Sequence, residues 1–325
     1  MKRIGIDVGG TGIAIGIVDE NYRIVDKTSL PTADYKAAGD MIEAIAKAVS
    51  GLMAGVGIKE DNIEAVGVCV PGTAELDTGM MLYANNLMFE NVPFLDELKK
   101  VLGSSLGART YFENDANAAA IGEYITGCYD VPNFVMVTLG TGVGGGIVIN
   151  GKLLRGCNYA AAEFGHMTIN VEGVDCNCGR RGCFEDYASA TALIEMAKDE
   201  MTSIEGKGSL LWEETSGDAE ALDGKKFFDA VRKGDMTAKK VLDKYSFYLS
   251  EGLINIINVL QPDVLVLSGG ITRAADLFLD QVKEKVAKEV YSRSSKRNTQ
   301  ITLPRGIADA GDVGIVGAAL IDRAL

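Results

Sequence analysis

One histidine and three closely spaced cysteines impose the tightest constraint on this chain. His166 is the sole histidine in 325 residues, and nine residues separate it from Cys176 in the run HMTINVEGVDCNCGRRGC, which continues to Cys178 and Cys183. One imidazole and three thiolates make the closed tetrahedral set that zinc takes in structural sites, at about 2.0 to 2.3 Å. The alternative is a local disulfide beside coincidental thiols, but a Cys-x-Cys bridge is strained and the chain reads as intracellular. Gly179 and Gly182 allow the tight turns that a short chelate loop needs. Because His166 stands apart from the thiols, the metal would tie two segments together.

Composition narrows the remaining choices. With 325 residues, 47% of them hydrophobic, the chain can fill roughly two cores of ordinary domain size. A net charge of -13 opposes nonspecific binding to a phosphate backbone, so a nucleic-acid partner is not expected. The opening MKRIGIDVGG enters a strand pattern directly, and no apolar run is long enough to cross a bilayer, which predicts a soluble, cytoplasmic protein. The other thiols, Cys69, Cys128 and Cys157, lie among apolar or small residues and read as inert packing groups.

Periodicity predicts a three-stranded meander over residues 2–30, a helix over 37–54 with Met41, Ile45, Val49 and Leu52 on one face, and a buried strand in EAVGVCVPG. A helix over 95–106, the strand ARTYFEN and the helix DANAAAIGEYIT follow. At residue 133 the strand, glycine turn, strand pattern restarts in FVMVTLGTGVGGGIVINGKLLRG, a faint sign of internal duplication. Residues 186–201 read as one helix, 202–224 as a polar excursion or flexible insertion, and 225–233 and 235–260 as helices. An apolar strand in PDVLVLSGG and a closing helix in AGDVGIVGAALIDRAL complete the pattern. A cleft between two such domains would be the natural ligand site.

Three glycine turns stand out. Asp7, Gly9, Gly10 and Thr11 form the first, Gly140, Thr141 and Gly142 the second, and Gly269 with Gly270 the third. Amides and hydroxyls in such turns approach phosphate oxygens without a Cβ clash, and three together favour a nucleotide over plain hairpin turns. Asp115, in ENDANAAA, admits two roles. It can cap the alanine-rich helix, or it can take a proton from an attacking sugar hydroxyl at a strand-to-helix junction. Asn86, Asn114, Glu163, His166 and Glu185 are polar side chains in loop or strand-end contexts that suit the donors and acceptors of a hexose; Glu185 can equally favour a helix dipole.

Taken together, IGIDVGGTGIAIGIVD, VPG, ANNL, ENDANAAA, LGTGVGGGIV, AAEFGHM, CNCGRRGCFEDYAS, LSGGI and DVGIVGAA resemble the ROK family of sugar kinases and repressors, within the actin-like hexokinase superfamily. The resemblance spans nearly the whole chain. It implies an α/β, two-domain actin-like ATPase (ribonuclease H-like) fold with an interdomain cleft and a zinc-bound cysteine loop. Its domains would be 1–115 with 311–325, and 116–310. It further implies Asp115 as catalytic base; Asn86, Asn114, Glu163, His166 and Glu185 as hexose ligands with the Gly72 backbone nearby; and the three glycine turns as the ATP site. Magnesium would accompany the nucleotide, and a homo-oligomer, dimer or tetramer, would be the assembly.

The expected reaction is ATP-dependent phosphorylation of a hexose 6-hydroxyl, with glucose first. N-acetylhexosamine, fructose or allose kinases and a noncatalytic sugar sensor are the alternatives. Repressors of the family carry an added N-terminal helix-turn-helix, which does not precede the first strand here. Two positions depart from the family's habit: Ala162 stands where many members have glycine, and Gly12 where a longer polar residue is common.

Overall fold

Alternation of branched and small residues along Lys2–Val8 decides the first layer. The structure is a computed structural model, and it describes residues 1–84, 87, 89–306 and 312–324. In chain order, β1 (Lys2–Val8), β2 (Gly12–Val18), β3 (Ile24–Pro31), α1 (Ala38–Val56), β4 (Ile63–Val70), β5 (Thr73–Glu75), β6 (Met80–Ala84) and β7 (Phe89–Val92) lead to α2 (Phe94–Gly107), β8 (Thr110–Asn114) and α3 (Asp115–Thr126). Then come β9 (Phe134–Leu139), β10 (Val143–Ile149), β11 (Lys152–Leu153), α4 (Glu185–Ala188), α5 (Ala190–Thr202), α6 (Leu210–Glu214), α7 (Gly224–Arg232) and α8 (Met236–Leu260). Strand β12 (Val264–Ser268), α9 (Leu279–Glu289), β13 (Gln300–Thr302) and α10 (Val313–Ala319) close the fold.

Two compact units result, one of Met1–Pro132, Gly146–Ala162 and Pro304–Leu325, the other of Asn133–Gly145 and Glu163–Leu303. The two five-stranded sheets have orders β3-β2-β1-β4-β8 and β11-β10-β9-β12-β13. Each places an antiparallel hairpin on one side of its first strand and parallel strands on the other, so the duplication faintly visible in sequence is a repeated sheet topology. A three-stranded antiparallel sheet, β5-β6-β7, is the third sheet among the described residues.

In the first unit the strand period of two sorts the residues of β1 and β4 onto two faces. Ile4, Ile6, Val8, Val66, Val68 and Val70 join Met41, Ile45 and Val49 of α1 in one core, where α2 adds Phe94, Leu98 and Leu102. On the opposite face Gly5 and Gly67 lie under α10, where an added Cβ would overlap the carbonyls of Ile315 and Ala318. Gly317 in turn lies against the Ala118 carbonyl of α3. Backbone meets backbone here because neither partner carries a side chain in the way.

The helical expectations hold with four differences, the first in α2, where Gly103 (φ 82°, ψ 170°) breaks the helix expected over 95–106. Helix 186–201 is broken at Ser189, which is extended (φ -76°, ψ 166°) and caps α5 by accepting from the Ala192 amide at 3.0 Å. The stretch 202–224 packs as short helical turns rather than as a loose insertion: Leu211 and Thr215 are buried, and Ser209, Asp218 and Asp223 each cap a turn. The closing helix ends at Ala319 and passes into a tighter turn over Ile321–Ala324. No helix among the described residues is long and apolar enough to cross a membrane.

Candidate active site and metal cluster

The four residues expected to hold a metal converge. His166, Cys176, Cys178 and Cys183 place one ligand atom each within 4.8 Å of all the others. Cys178 Sγ and Cys183 Sγ are 3.7 Å apart, and Cys176 Sγ is 3.9 Å from His166 Nδ1. A tetrahedron with metal–sulfur bonds of 2.3 Å has edges of roughly 3.8 Å, close to both of those separations, so the chemistry and spacing of this donor set suit a zinc ion. Gly179 (φ 84°) and Gly182 (φ 71°) take the left-handed backbone that the loop needs, and a Cβ at Gly182 would overlap the Asn170 carbonyl. Arg180 braces the loop from outside, donating to the His166 carbonyl at 3.3 Å and to Thr168 Oγ1 at 2.8 Å. Burial pushes the Cys176 and Cys183 thiols up, whereas the Arg180 amide draws Cys178 down.

Glu163 and Glu185 flank His166 in the same unit. Desolvation pushes the Glu163 carboxyl above its ordinary value although the residue remains solvent-reachable; His166 opposes that shift and Glu185 adds to it. Glu185 begins α4, and its Oε2 accepts from the Val143 amide at 2.8 Å. Gly142 and Gly165 lack the Cβ that would strike that carboxylate. The second glycine turn is thereby fastened to the metal loop. Two further bonds hold it: the Ala190 amide donates to the Gly140 carbonyl and Thr191 Oγ1 to the Thr141 carbonyl, each at 2.8 Å. Gly269 (φ 99°) lies directly against the Leu139 backbone, so the second and third glycine turns abut.

In the first unit Gly9, Gly10 and Thr11 join β1 to β2, with the Gly9 amide donating to Gly12 at 2.9 Å and Thr32 Oγ1 to the Gly9 carbonyl at 2.9 Å. A Cβ on Gly12 meets nothing nearer than the Leu30 carbonyl at 3.5 Å, so that departure from the family pattern costs the turn nothing in space. Asp7 ends beside Gly314, whose missing Cβ leaves room for its carboxylate, and accepts from Cys69 Sγ at 3.3 Å. Burial pushes the Asp7 carboxyl up, and the thiol partly offsets this. Cys69 is buried as expected, but Cys128 and Cys157 are exposed and do not pack inside.

The capping ambiguity resolves at Asn114. Its side chain accepts from the Asn117 amide at 3.1 Å and donates to the Gly72 carbonyl at 2.9 Å, so Asn114 is the cap of α3 and Asp115 its first residue. Asp115 Oδ1 accepts from the Ala116 amide at 2.7 Å. Gly72 is left-handed (φ 77°), a conformation suited to glycine. Asn86, expected beside these groups, lies outside the described residues.

Sequence reasoning missed what lies behind this junction. Glu113 is fully buried and pairs with Arg155 Nε at 2.8 Å across 42 positions; only its i,i+4 relation to Asn117 was visible locally. Glu123 was missed as well. It is buried on α3 and accepts from Tyr129 Oη at 3.0 Å and from the Arg305 amide at 2.6 Å, pinning the segment that returns to α10.

The model of the ROK family matches residues 3–324. The chain belongs to the ROK family. A glucokinase of Thermotoga maritima is 34% identical to it over 99% of this chain and 97% of its own length. A xylose repressor of Bacillus subtilis is 29% identical over 80% of this chain and 62% of its own. Among solved structures, a ROK family glucokinase from Streptomyces griseus in complex with glucose and AMPPNP superposes with a TM-score of 0.81, at 33% identity and 98% coverage of both chains. The mixed α/β architecture is therefore the actin-like one of ROK glucokinases.

Proposed function

We propose that this protein is an ATP-dependent hexose kinase that phosphorylates the 6-hydroxyl, with glucose as the first substrate. The observation that carries the proposal is the division of labour at the β8–α3 junction. Asn114 occupies the N-cap position, so that role does not fall to Asp115, which stands as the first residue of α3. In this reading Asp115 accepts the proton of the sugar hydroxyl while that oxygen attacks the γ-phosphorus and ADP leaves. Glucokinase relatives at about a third identity over nearly the whole chain support the same assignment.

The remaining roles follow from chemistry and placement. Asn114 and the Gly72 carbonyl would orient sugar hydroxyls near the base, with Asn86 assigned on family resemblance alone. Glu163, His166 and Glu185 would bind further hydroxyls. His166 directs Nδ1 toward the thiols, which leaves Nε2 for a sugar oxygen. Zinc, when bound, would fix the loop and the imidazole orientation without activating water, because protein fills all four ligand positions. The three glycine turns would carry the nucleotide, and magnesium would neutralise phosphate charge. A cytoplasmic dimer or tetramer belongs to the same proposal on resemblance alone.

The test is ADP formation from magnesium-ATP with glucose, mannose, fructose, allose, N-acetylglucosamine and N-acetylmannosamine. A preference for glucose supports the full reading, and another preferred sugar changes only the substrate. Asp115→Asn should lower kcat by about 10³-fold or more with sugar binding retained. A nearly active variant refutes the base assignment, and sugar binding without turnover by the unaltered protein favours a sensor.

A further inference from the structure

A buried carboxylate, Glu113, and a half-buried guanidinium, Arg155, sit directly behind the β8–α3 junction, and neither contacts the sugar or the nucleotide in the proposed reaction. Glu113 Oε2 accepts from Arg155 Nε at 2.8 Å, while Oε1 accepts from the Asn114 amide and from Asn117 Nδ2, each at 3.1 Å. The carboxylate thus grips positions on both sides of Asp115. Arg155 Nη2 and Asn117 Oδ1 are buried and have no partner among the described residues. Arg155 belongs to the segment that continues through Gly156 to Ala162 and Glu163. The segment is itself anchored, because the Arg155 carbonyl accepts from the Ala161 amide at 3.1 Å.

An ion pair whose carboxylate is buried contributes little net stability compared with apolar side chains of equal volume, so stability alone does not explain a guanidinium here. Its effect is geometric. Arg155 holds the Glu113 carboxylate in an orientation that reaches both the Asn114 amide and the Asn117 side chain. Those two contacts fix the backbone at the cap and the first turn of α3, where Asp115 is mounted. We propose that Arg155 is a positioning residue that acts through Glu113 to hold Asp115 in register with the sugar hydroxyl. This role rests on the kinase reading. It extends that reading to residues that touch no substrate, and links the base to the chain segment entering Glu163.

Steady-state kinetics of the full-length, zinc-loaded protein test it. Displacing a base by about 1 Å costs on the order of 100-fold, so Arg155→Ala should lower kcat by about that factor while KM for sugar and for ATP stay within about threefold. Arg155→Lys, which keeps the charge, should recover about tenfold of the loss. If Arg155→Ala does not fold, the pair Arg155→Met with Glu113→Gln leaves no lone buried charge and should show the same kcat loss. Variants that turn over like the unaltered protein per folded, zinc-loaded molecule overturn the role. So does an equal loss in Arg155→Lys and Arg155→Ala. An unaltered protein inactive on every sugar removes the kinase reading and this role together, whereas an active one with unimpaired variants removes this role alone.

Discussion

At Ala162 a single methyl group sets a local cost. The residue adopts φ 68°, in the left-handed region where a Cβ crowds the following carbonyl by roughly 1–2 kcal/mol. It stands immediately before Glu163, at a position where the family often has glycine. Ala162→Gly removes the crowding but adds the conformational freedom of glycine to the unfolded chain, which takes back roughly 0.5–1 kcal/mol. The expected result is a net gain of about 0.5 kcal/mol, read as a higher urea midpoint at unchanged slope. A lower midpoint would show that the alanine methyl makes a compensating contact. Asn114 and Asp115 teach a related lesson, because both residue types cap helices well and local preference cannot choose between them. The Gly72 carbonyl chooses, by engaging the Asn114 amide group.

Among the elements, α10 is the clearest case of packing that tolerates no side chain. It crosses β1 and β4 at Gly5 and Gly67, and a methyl at either would enter a carbonyl of the helix backbone, which cannot rotate away as a side chain would. Gly67→Ala is therefore expected to destabilise the protein by about 3 kcal/mol or more. Gly51→Ala is the matched control: it lies on the exposed side of α1, where an added Cβ meets nothing within 4 Å, and should be neutral or stabilising by up to about 1 kcal/mol. Thermal melts of the two variants compare them directly. A Gly67→Ala protein as stable as the control would mean that α10 shifts freely on the sheet. The helix itself was legible in GDVGIVGAA, but the need for glycine in both it and the strands was not, since the facing residues lie some hundreds of positions apart.

For the molecule as a whole, the proposed zinc at His166, Cys176, Cys178 and Cys183 would be a cross-link that local structure does not replace. The four clustered residues would close a loop from His166 to Cys183 within one unit, and Glu185, two residues beyond it, accepts from the Val143 amide that follows the Gly140–Gly142 turn. Loss of the ion should therefore be felt beyond the loop. Cys178→Ser is expected to lose zinc, to lower the melting temperature by about 5 °C or more, and to weaken sugar binding in the same preparation. Metal content by atomic spectroscopy, with a sugar titration of the stripped protein, checks this. Unchanged sugar affinity after complete metal removal would separate the cluster from the proposed hydroxyl-binding residues.

What the amino-acid sequence determined by itself is what short spacing encodes: the histidine and cysteines that cluster, the glycine turns, the two strand-turn-strand units, and the helical face of α1. These depend on periods of two to four residues or on loops of a few residues, where the chain has little freedom to place the groups otherwise. Only the tertiary structure decided that Glu113 meets Arg155, that Cys69 meets Asp7, and that glycines of the first strands lie beneath the last helix. Such partners are set by how helices and strands stack once apolar faces are buried, and no local preference of Arg155 or Gly5 carries that information.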